Sequence, residues 1–523
     1  MTTSDPRLPA HRHAAHTALK PRWYDRLPLM VLTSAVGAVL MLVPAIFAGA
    51  TGDHDAGRPF FYGAVVFSTL TVLVGLAMST RAPGQGPRDL LLSLLATFLV
   101  LPLMLALPLY EAVPGLRFGN AWFEMVSSIT TTGTTVFDQP GRVPDTAHLW
   151  RALVGWYGGF VMWVAAIAIL APLRLGGFEL VLTGAQVGRD GTMGRAMASD
   201  YPARRIFRHA RALGPIYGAL TFAVWLALLI AGEDPLVAAC HAMSVLASSG
   251  ISPLGGMQAS SAAHWGEGVL FVAMIFALSR ATFSRDMPLT VVRRWWQDPE
   301  LRIAGVLLVT VPVVIFVHQW VSQYDVGGGA PSPLRNMWGA LFTTLSFLTT
   351  TGFVSADWEV ARNWSGITTP GLILLGLAMV GGGVATTAGG VKLLRVYVLY
   401  RHGQSEAGKL VHPSMTSSPG NRARRFPVQA AYTAWLCFML FALAFASVML
   451  ALSLSDMRFE DNMILTTAAL TNTGPLTVVA GPSPIPMGGL GSFVQAILAL
   501  AMVLGRLETL AIIALLNPEF WRS

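Results

Sequence analysis

Apolar residues in this chain run in long, nearly uncharged blocks separated by short polar and basic segments. A helix of about 20 apolar residues crosses the ~30 Å hydrocarbon layer of a bilayer. Blocks of that size occupy 27–50, 59–80, 90–110, 152–173, 212–232, 303–322, 366–391, 426–455 and 486–516, with a tenth, less uniform one near 262–285. The pattern predicts ten membrane-spanning helices. Four more apolar segments, Phe118–Ile129, Pro235–Leu246, Leu334–Leu348 and Phe459–Leu470, are too short to cross. As helices they would reach only ~18–22 Å at 1.5 Å per residue, so they are expected to dip into the membrane and return.

The four short segments end alike: SSITTTG (127–133), SVLASSG (244–250), SFLTTTG (346–352) and AALTNTG (468–474). Six residues before the final glycine stand Ser127, Ser244, Ser346 and Ala468, and four before it Ile129, Leu246, Leu348 and Leu470. The glycines, Gly133, Gly250, Gly352 and Gly474, lie 117, 102 and 122 residues apart, each between two spans on one side of the membrane. A unit of span, short pore helix, loop and span therefore repeats four times, and such repeats outweigh local composition as evidence of architecture. The expected fold is an all-α polytopic membrane protein, with four repeats in pseudo-fourfold symmetry behind two additional N-terminal spans. The boundaries are 1–26 for a cytoplasmic tail, 27–88 for the two extra spans, and 89–210, 211–298, 299–425 and 426–523 for the repeats.

Non-helical backbone at membrane depth is tolerated where protein buries it or where it lines a water-filled path. Four loops around one axis present carbonyls that can replace the hydration shell of a cation. The C-terminal ends of the short helices add partial negative charge there, and glycine lets the backbone turn without a Cβ clash. The plainer reading is that each glycine ends its helix as a C-cap. Four aligned copies favour the ion path.

Composition agrees with the membrane assignment: 54% of residues are hydrophobic and 12% charged, about half the ~25% charge of a soluble domain. Two cysteines, Cys240 and Cys437, both in apolar stretches, exclude a disulfide framework or a cysteine-rich metal site. The net charge of +8 suggests nucleic acid only until its distribution is seen. With residues 1–26 cytoplasmic, 27 of the 35 Lys/Arg lie on the inner side and 7 on the outer, and Arg506 remains inside a span. The positive-inside rule then puts both termini in the cytoplasm, and no nucleic-acid partner is expected. No short apolar segment with a small-residue cleavage site precedes residue 27, so the first span is expected to be retained.

Together with the four loops, the stretches AWFEMVSSITTTGTTV (121–136), SFLTTTGFVSADW (346–358), AGGVKLLR (388–395), VHP (411–413), LTNTGP (470–475) and LGRLE (504–508) carry a resemblance. The chain resembles the Trk/Ktr/HKT superfamily of potassium transporters, and within it the bacterial Trk-type pore subunit, over about residues 25–516. The resemblance implies a selectivity filter whose backbone carbonyls bind potassium. Its residues are Thr130, Thr131, Thr132 and Gly133; Ala247, Ser248, Ser249 and Gly250; Thr349, Thr350, Thr351 and Gly352; and Thr471, Asn472, Thr473 and Gly474. In plant relatives, serine at the first glycine position accompanies sodium transport; glycine at all four positions here favours potassium. The second loop, with Ala247-Ser248-Ser249, departs from the usual threonine-rich pattern, so a sodium-permeable or weakly selective pore is the alternative.

The resemblance also implies a gate. Arg506 is expected in the pore below the filter as a barrier to cations, against the plainer readings of snorkelling or pairing with Glu508. Gly381, Gly382, Gly383, Gly389 and Gly390 break the span at 366–391, either for close helix packing or, as in relatives, as an intramembrane gating loop ending at Lys392. In the sixth span, Arg280 and Arg285 stand where relatives have a glycine-containing segment. The implied setting is the bacterial inner membrane. The implied partners are membrane lipid, a second copy in a homodimer, and a cytoplasmic nucleotide-binding regulatory subunit.

No cofactor is expected in this chain, and potassium is its substrate. GQSEAGKL (403–410) comes within one residue of a phosphate-binding loop, but Leu410 replaces the Ser/Thr and a membrane span precedes it, so it is expected to be a chance match in a cytoplasmic loop. His11, His13 and His16 fit a polar tail better than a metal site. With no HExxH, GxSxG or CxxC, an enzyme is disfavoured. An alternating-access carrier calls for inverted repeats, whereas these repeats share one orientation.

Overall fold

The computed structural model describes residues 27–79, 87–171, 173, 202–278, 298–323, 333–358, 371–384, 386–411 and 428–508. All regular structure among them is helical. The first span is α1 (Leu29–Leu40) followed by α2 (Leu42–Thr51), α3 is His54–Met78, and the third span joins α4 (Pro87–Leu99) to α5 (Leu101–Ala112). Proline explains both breaks, since Pro44 and Pro102 lack the N–H that would bond the carbonyl four residues back.

Then follow α6 (Phe118–Ile129), α7 (Asp145–Ala165, prolonged by a π turn at Ala166–Leu170), α8 (Pro202–Ile230), α9 (Pro235–Ala247) and α10 (Ala263–Ile275). The chain continues through α11 (Pro299–Gln323), α12 (Pro333–Leu348), α13 (Gly371–Val380), α14 (Leu393–Val411), α15 (Val428–Leu452), α16 (Phe459–Leu470), α17 (Leu476–Val479) and α18 (Ser492–Leu507).

Seven described segments are long and apolar enough to cross a membrane: Leu29–Thr51, His54–Met78, Arg88–Ala112, Asp145–Leu170, Arg204–Ile230, Pro299–His318 and Ala430–Leu452. The other three expected spans correspond to shorter apolar helices, α10, α13 and α18. α13 is cut short by the break at residue 381 and α18 by the turn at Glu508, whereas α10 passes through a 3-10 turn (Phe276–Leu278) to the edge of the described residues. The unusual sixth-span residues Arg280 and Arg285 lie outside them, as do residues 1–26. Residues 403–410, expected in a loop, lie within α14. A continuous helix cannot wrap a phosphate, so the near-match to a phosphate loop is void.

The short segments fold as expected, as α6, α9, α12 and α16, with α9 extending one residue further to Ala247. Asp234 caps α9 by accepting from Leu236 N–H at 3.0 Å, and Pro235 fills its first position. The span Asp145–Leu170 has 83% of its apolar window buried, against 11% for Ala430–Leu452. α7 is therefore central and α15 peripheral. Close packing places α7 and α18 against the ends of short helices. A Cβ on Gly158 would strike the Ile129 backbone (2.9 Å to Cα), and one on Gly505 the Leu470 backbone (3.0 Å to Cα).

Candidate functional site: four helix ends and the loop beneath them

Each short helix ends in one hydrogen-bond pattern. The residue two before the loop glycine has a left-handed backbone: Thr131, Ser248, Thr350 and Asn472 have φ of 56°, 50°, 56° and 52°. Their N–H groups donate to Ser128, Val245, Phe347 and Ala469 carbonyls at 2.9, 3.2, 3.2 and 3.3 Å. The next N–H groups, of Thr132, Ser249, Thr351 and Thr473, donate to the carbonyls of Ser127, Ser244, Ser346 and Ala468 at 2.8–2.9 Å. This pair of bonds is a Schellman cap with its left-handed residue at the position where glycine is usual. Here that residue is Thr, Ser or Asn in every loop, which strains the backbone. The helices are thus already capped two residues before the glycines, and capping does not explain why the glycines are there.

Position explains them. A Cβ on Gly133 would collide with the Ser249 carbonyl of the second loop, and one on Gly250 with the Thr351 carbonyl of the third. On Gly352 it would meet Pro475 Cγ of the fourth loop at 2.7 Å, and on Gly474 the Gly133 carbonyl carbon of the first at 2.6 Å. These contacts run first to second, second to third, third to fourth and fourth to first, closing a ring. The fourth loop departs from the others. Gly133, Gly250 and Gly352 have φ of 75°, 65° and 83°, while Gly474 is outside the left-handed region and donates its N–H to Thr132 O at 2.6 Å.

Side chains hold the loops from behind. Thr130 and Thr132 hydroxyls pair at 2.8 Å, Thr349 and Thr351 at 3.1 Å, and Thr471 and Thr473 at 3.1 Å. The first hydroxyl of each pair also donates to its own helix, to Val126, Leu345 and Thr467 carbonyls at 2.7, 2.9 and 2.7 Å. In the second loop Ala247 closes the helix without a hydroxyl, and Ser249 instead donates to Ser244 Oγ at 3.1 Å. These hydroxyls are thereby satisfied within their own loops and helices. Asn472 joins the fourth loop to the first and to α18, donating to Thr132 Oγ1 and Met502 O at 2.9 Å each.

Between α13 and α14, residues 381–384 and 386–392 of the connecting segment 381–392 are not helical. Several glycines there each cost about 1 kcal/mol of helix stability relative to alanine, and Gly381, Gly389 and Gly390 lie too close to other backbone to admit a Cβ. Thr387 Oγ1 donates to Leu246 O at 3.3 Å and Gly389 N–H to Thr350 Oγ1 at 2.7 Å, while a Cβ on Gly389 would strike Thr471 O. The segment therefore spans the inner ends of the second, third and fourth short helices, where the ring begins. Its start is held by Gly383 N–H to Ala277 O (3.2 Å) and Val384 N–H to the buried Glu300 carboxylate (2.9 Å). Gly381 packs against the Gly389 and Gly390 backbone, so both ends of the segment meet; Gly382 lies nearest Ala388.

Arg506, only 4% exposed on α18, donates through Nη1 to Thr387 O at 2.5 Å. Its Nε and Nη2 have no hydrogen-bond partner among the described residues. Glu508 does not pair with it, being engaged by Arg395 at 2.6 Å. Lys392 is buried, has a left-handed φ of 83°, and donates its ammonium to Ala388 O. It closes the segment from within. A cavity lined by Ala166, Gly389, Lys392, Asn472, Arg506 and Glu508 lies beside this segment, between it, the π turn after α7 and the end of α18.

The family model described as "TrkH: Cation transport protein" matches residues 60–522. The chain belongs to the TrkH cation transport family. It is 30% identical to the Trk system potassium uptake protein TrkH of Salmonella typhimurium, over 92% of this chain and 96% of the relative. It is 28% identical to the protein of the same description from Vibrio parahaemolyticus, over 94% and 98%. Among solved structures, that of the potassium transporter TrkH from Vibrio parahaemolyticus superposes with a TM-score of 0.75 at 26% identity, covering 96% of this chain and all of that one. This TrkH family member is a multi-pass membrane transporter rather than an enzyme.

Of the residues singled out from sequence, the sixteen at the loop ends lie at the four helix ends whose glycines meet in the ring, and Arg506 and Lys392 both contact the glycine-rich segment below it. Several participants escaped. The sequence does not reveal Thr131, Ser248, Thr350 and Asn472 as helix caps, because threonine and serine do not advertise a left-handed backbone. Glu300 lies at the N-terminus of α11, 84 residues before Val384, and only the folded chain brings them together.

Proposed function

We propose that the protein takes up potassium across the bacterial cell membrane through the ring of four loops, whose carbonyls are the ligands that replace water around the ion. The observation that carries this reading is the closed ring of glycine contacts between helices that are already capped. Family membership and the potassium uptake relatives support it. The four repeats act as one pore in pseudo-fourfold arrangement, and the partly hydroxyl-free second loop is the feature that favours a weakly selective variant.

Segment 381–392 obstructs the path beneath the ring, and Arg506 both latches it and repels cations. Three neutral or singly charged hydrogen bonds join the segment to the helix ends and to Arg506. At roughly 0.5–3 kcal/mol each, they are weak enough for a regulatory partner to displace. We place that partner, a nucleotide-binding subunit, on the basic cytoplasmic side, with both termini there and two copies of the chain in the assembly.

The test is expression in a bacterium lacking potassium uptake, with a cognate regulatory subunit, measuring growth at low potassium together with rubidium and sodium flux. Rubidium uptake well above sodium uptake is expected. Inserted protein that carries no rubidium overturns the reading.

A further inference from the structure

The residue nine before each loop glycine is Glu124, His241, Thr343 or Leu465. It lies one to two turns back along the short helix, facing the outward leg of its own loop. Glu124 Oε2 accepts the N–H of Val136, three residues past Gly133, at 2.8 Å. His241 Nε2 bonds Ser252 Oγ, two past Gly250, at 2.9 Å. Thr343 Oγ1 accepts from Ser355 N–H, three past Gly352, more loosely at 3.4 Å. Leu465 offers no hydrogen bond, and the fourth loop passes directly through Pro475 into α17.

The first clasp is built further. Glu124, 1% exposed, receives Arg151 Nε at 2.5 Å, and Arg151 lies 5.2 Å over the Phe137 ring. Arg151 Nη1 donates to His148 Nδ1 at 3.2 Å; guanidinium only donates, so the imidazole proton is on Nε2 and is given to Pro140 O at 2.9 Å. Ser127 Oγ adds a bond to Thr134 O at 2.6 Å. One buried charge pair thereby fixes the outward leg at Val136, Phe137 and Pro140. A buried carboxylate bonded by both a cation and a backbone N–H is among the stronger anchors available to a loop.

We propose that Glu124 is a positioning residue for ion selection: with Arg151 it sets the outward leg of the first loop and thus the Gly133 carbonyl, and position nine performs the same task in graded strength as His241 and Thr343. Resting on the selectivity reading above, this goes beyond it by assigning a discriminating role to a residue outside the ring.

The experiment measures the rubidium-to-sodium flux ratio of the full-length protein in proteoliposomes for Glu124→Leu, Glu124→Gln, Leu465→Met and Gly352→Ser. Because it is a ratio, the readout is independent of how much protein inserts. Glu124→Leu is expected to lower the ratio about tenfold, and Glu124→Gln, which keeps an acceptor but loses the charge, about threefold. Leu465→Met, volume-conserving at a position with no clasp, is expected to leave it unchanged. Should Glu124→Leu fail to insert, Glu124→Gln decides. A wild-type ratio in the Glu124 variants while Gly352→Ser lowers it overturns the positioning role alone. A wild-type ratio in Gly352→Ser as well overturns the ring as the selective element. A fall in Leu465→Met equal to that in Glu124→Leu also overturns the proposal, since packing and not the clasp would then set the ratio.

Discussion

A hydroxymethyl group on Gly352 has no room: its Cβ alone would lie 2.7 Å from Pro475 Cγ, at a φ of 83° that L-residues disfavour. Gly352→Ser must therefore move the third loop or the fourth, and the carbonyl positions with them. The expected result is a rubidium-to-sodium flux ratio reduced about tenfold with transport retained, read by isotope flux. Gly133→Ser should act in the same direction through its contact with the Ser249 carbonyl. Arg506→Ala removes a buried charge and the latch on Thr387 O. A unit charge in a partly aqueous cavity opposes a nearby cation by a few kcal/mol, so basal flux through the chain alone should rise about tenfold or more. Flux at or below wild type would mean that Arg506 is no barrier.

At the level of elements, ring and lower segment should fail separately. Gly381→Ala, at a φ of 73°, pushes a methyl into the Gly389 carbonyl within the segment itself, so the segment can no longer close on itself beneath the helix ends. The expected outcome is raised basal flux with an unchanged rubidium-to-sodium ratio, the converse of Gly352→Ser. Both elements were legible in sequence because glycine and repeat spacing are local signals: the short helices were placed to within a residue, and the break in the span at 366–391 was read from its glycines. What was not legible depends on tertiary contact. Threonine, serine and asparagine occupy left-handed caps only because the ring holds them there. Likewise, the plain pairing of Arg506 with Glu508 joins residues two apart, which do not face each other on a helix. Glu508 lies past the helix end at a φ of 61° and is taken by Arg395, 113 residues away in the chain. Arg506 is left to face the loop.

For the whole molecule, orientation decides what each element does. The short helices enter from one face and end at the ring, and segment 381–392 lies on the ring's other side; it gates entry into the cell only if that side is cytoplasmic. The positive-inside rule predicts that it is, since that orientation puts 27 of the 35 basic residues on the inner side. The two native cysteines are both buried, which makes introduced cysteines readable. Asp55, whose side chain is 96% exposed, begins α3 on the side from which the short helices enter, and Gln404 is exposed on α14 at the opposite side. In intact cells, a membrane-impermeant thiol reagent should label Asp55→Cys and not Gln404→Cys, with the second labelled only after permeabilisation. The reverse pattern would place the latch of Arg506 at the outer mouth, where a cytoplasmic partner could not reach it. Loss of ring selectivity in Gly352→Ser would survive that reversal, because the ring's contacts do not depend on which way the chain is inserted.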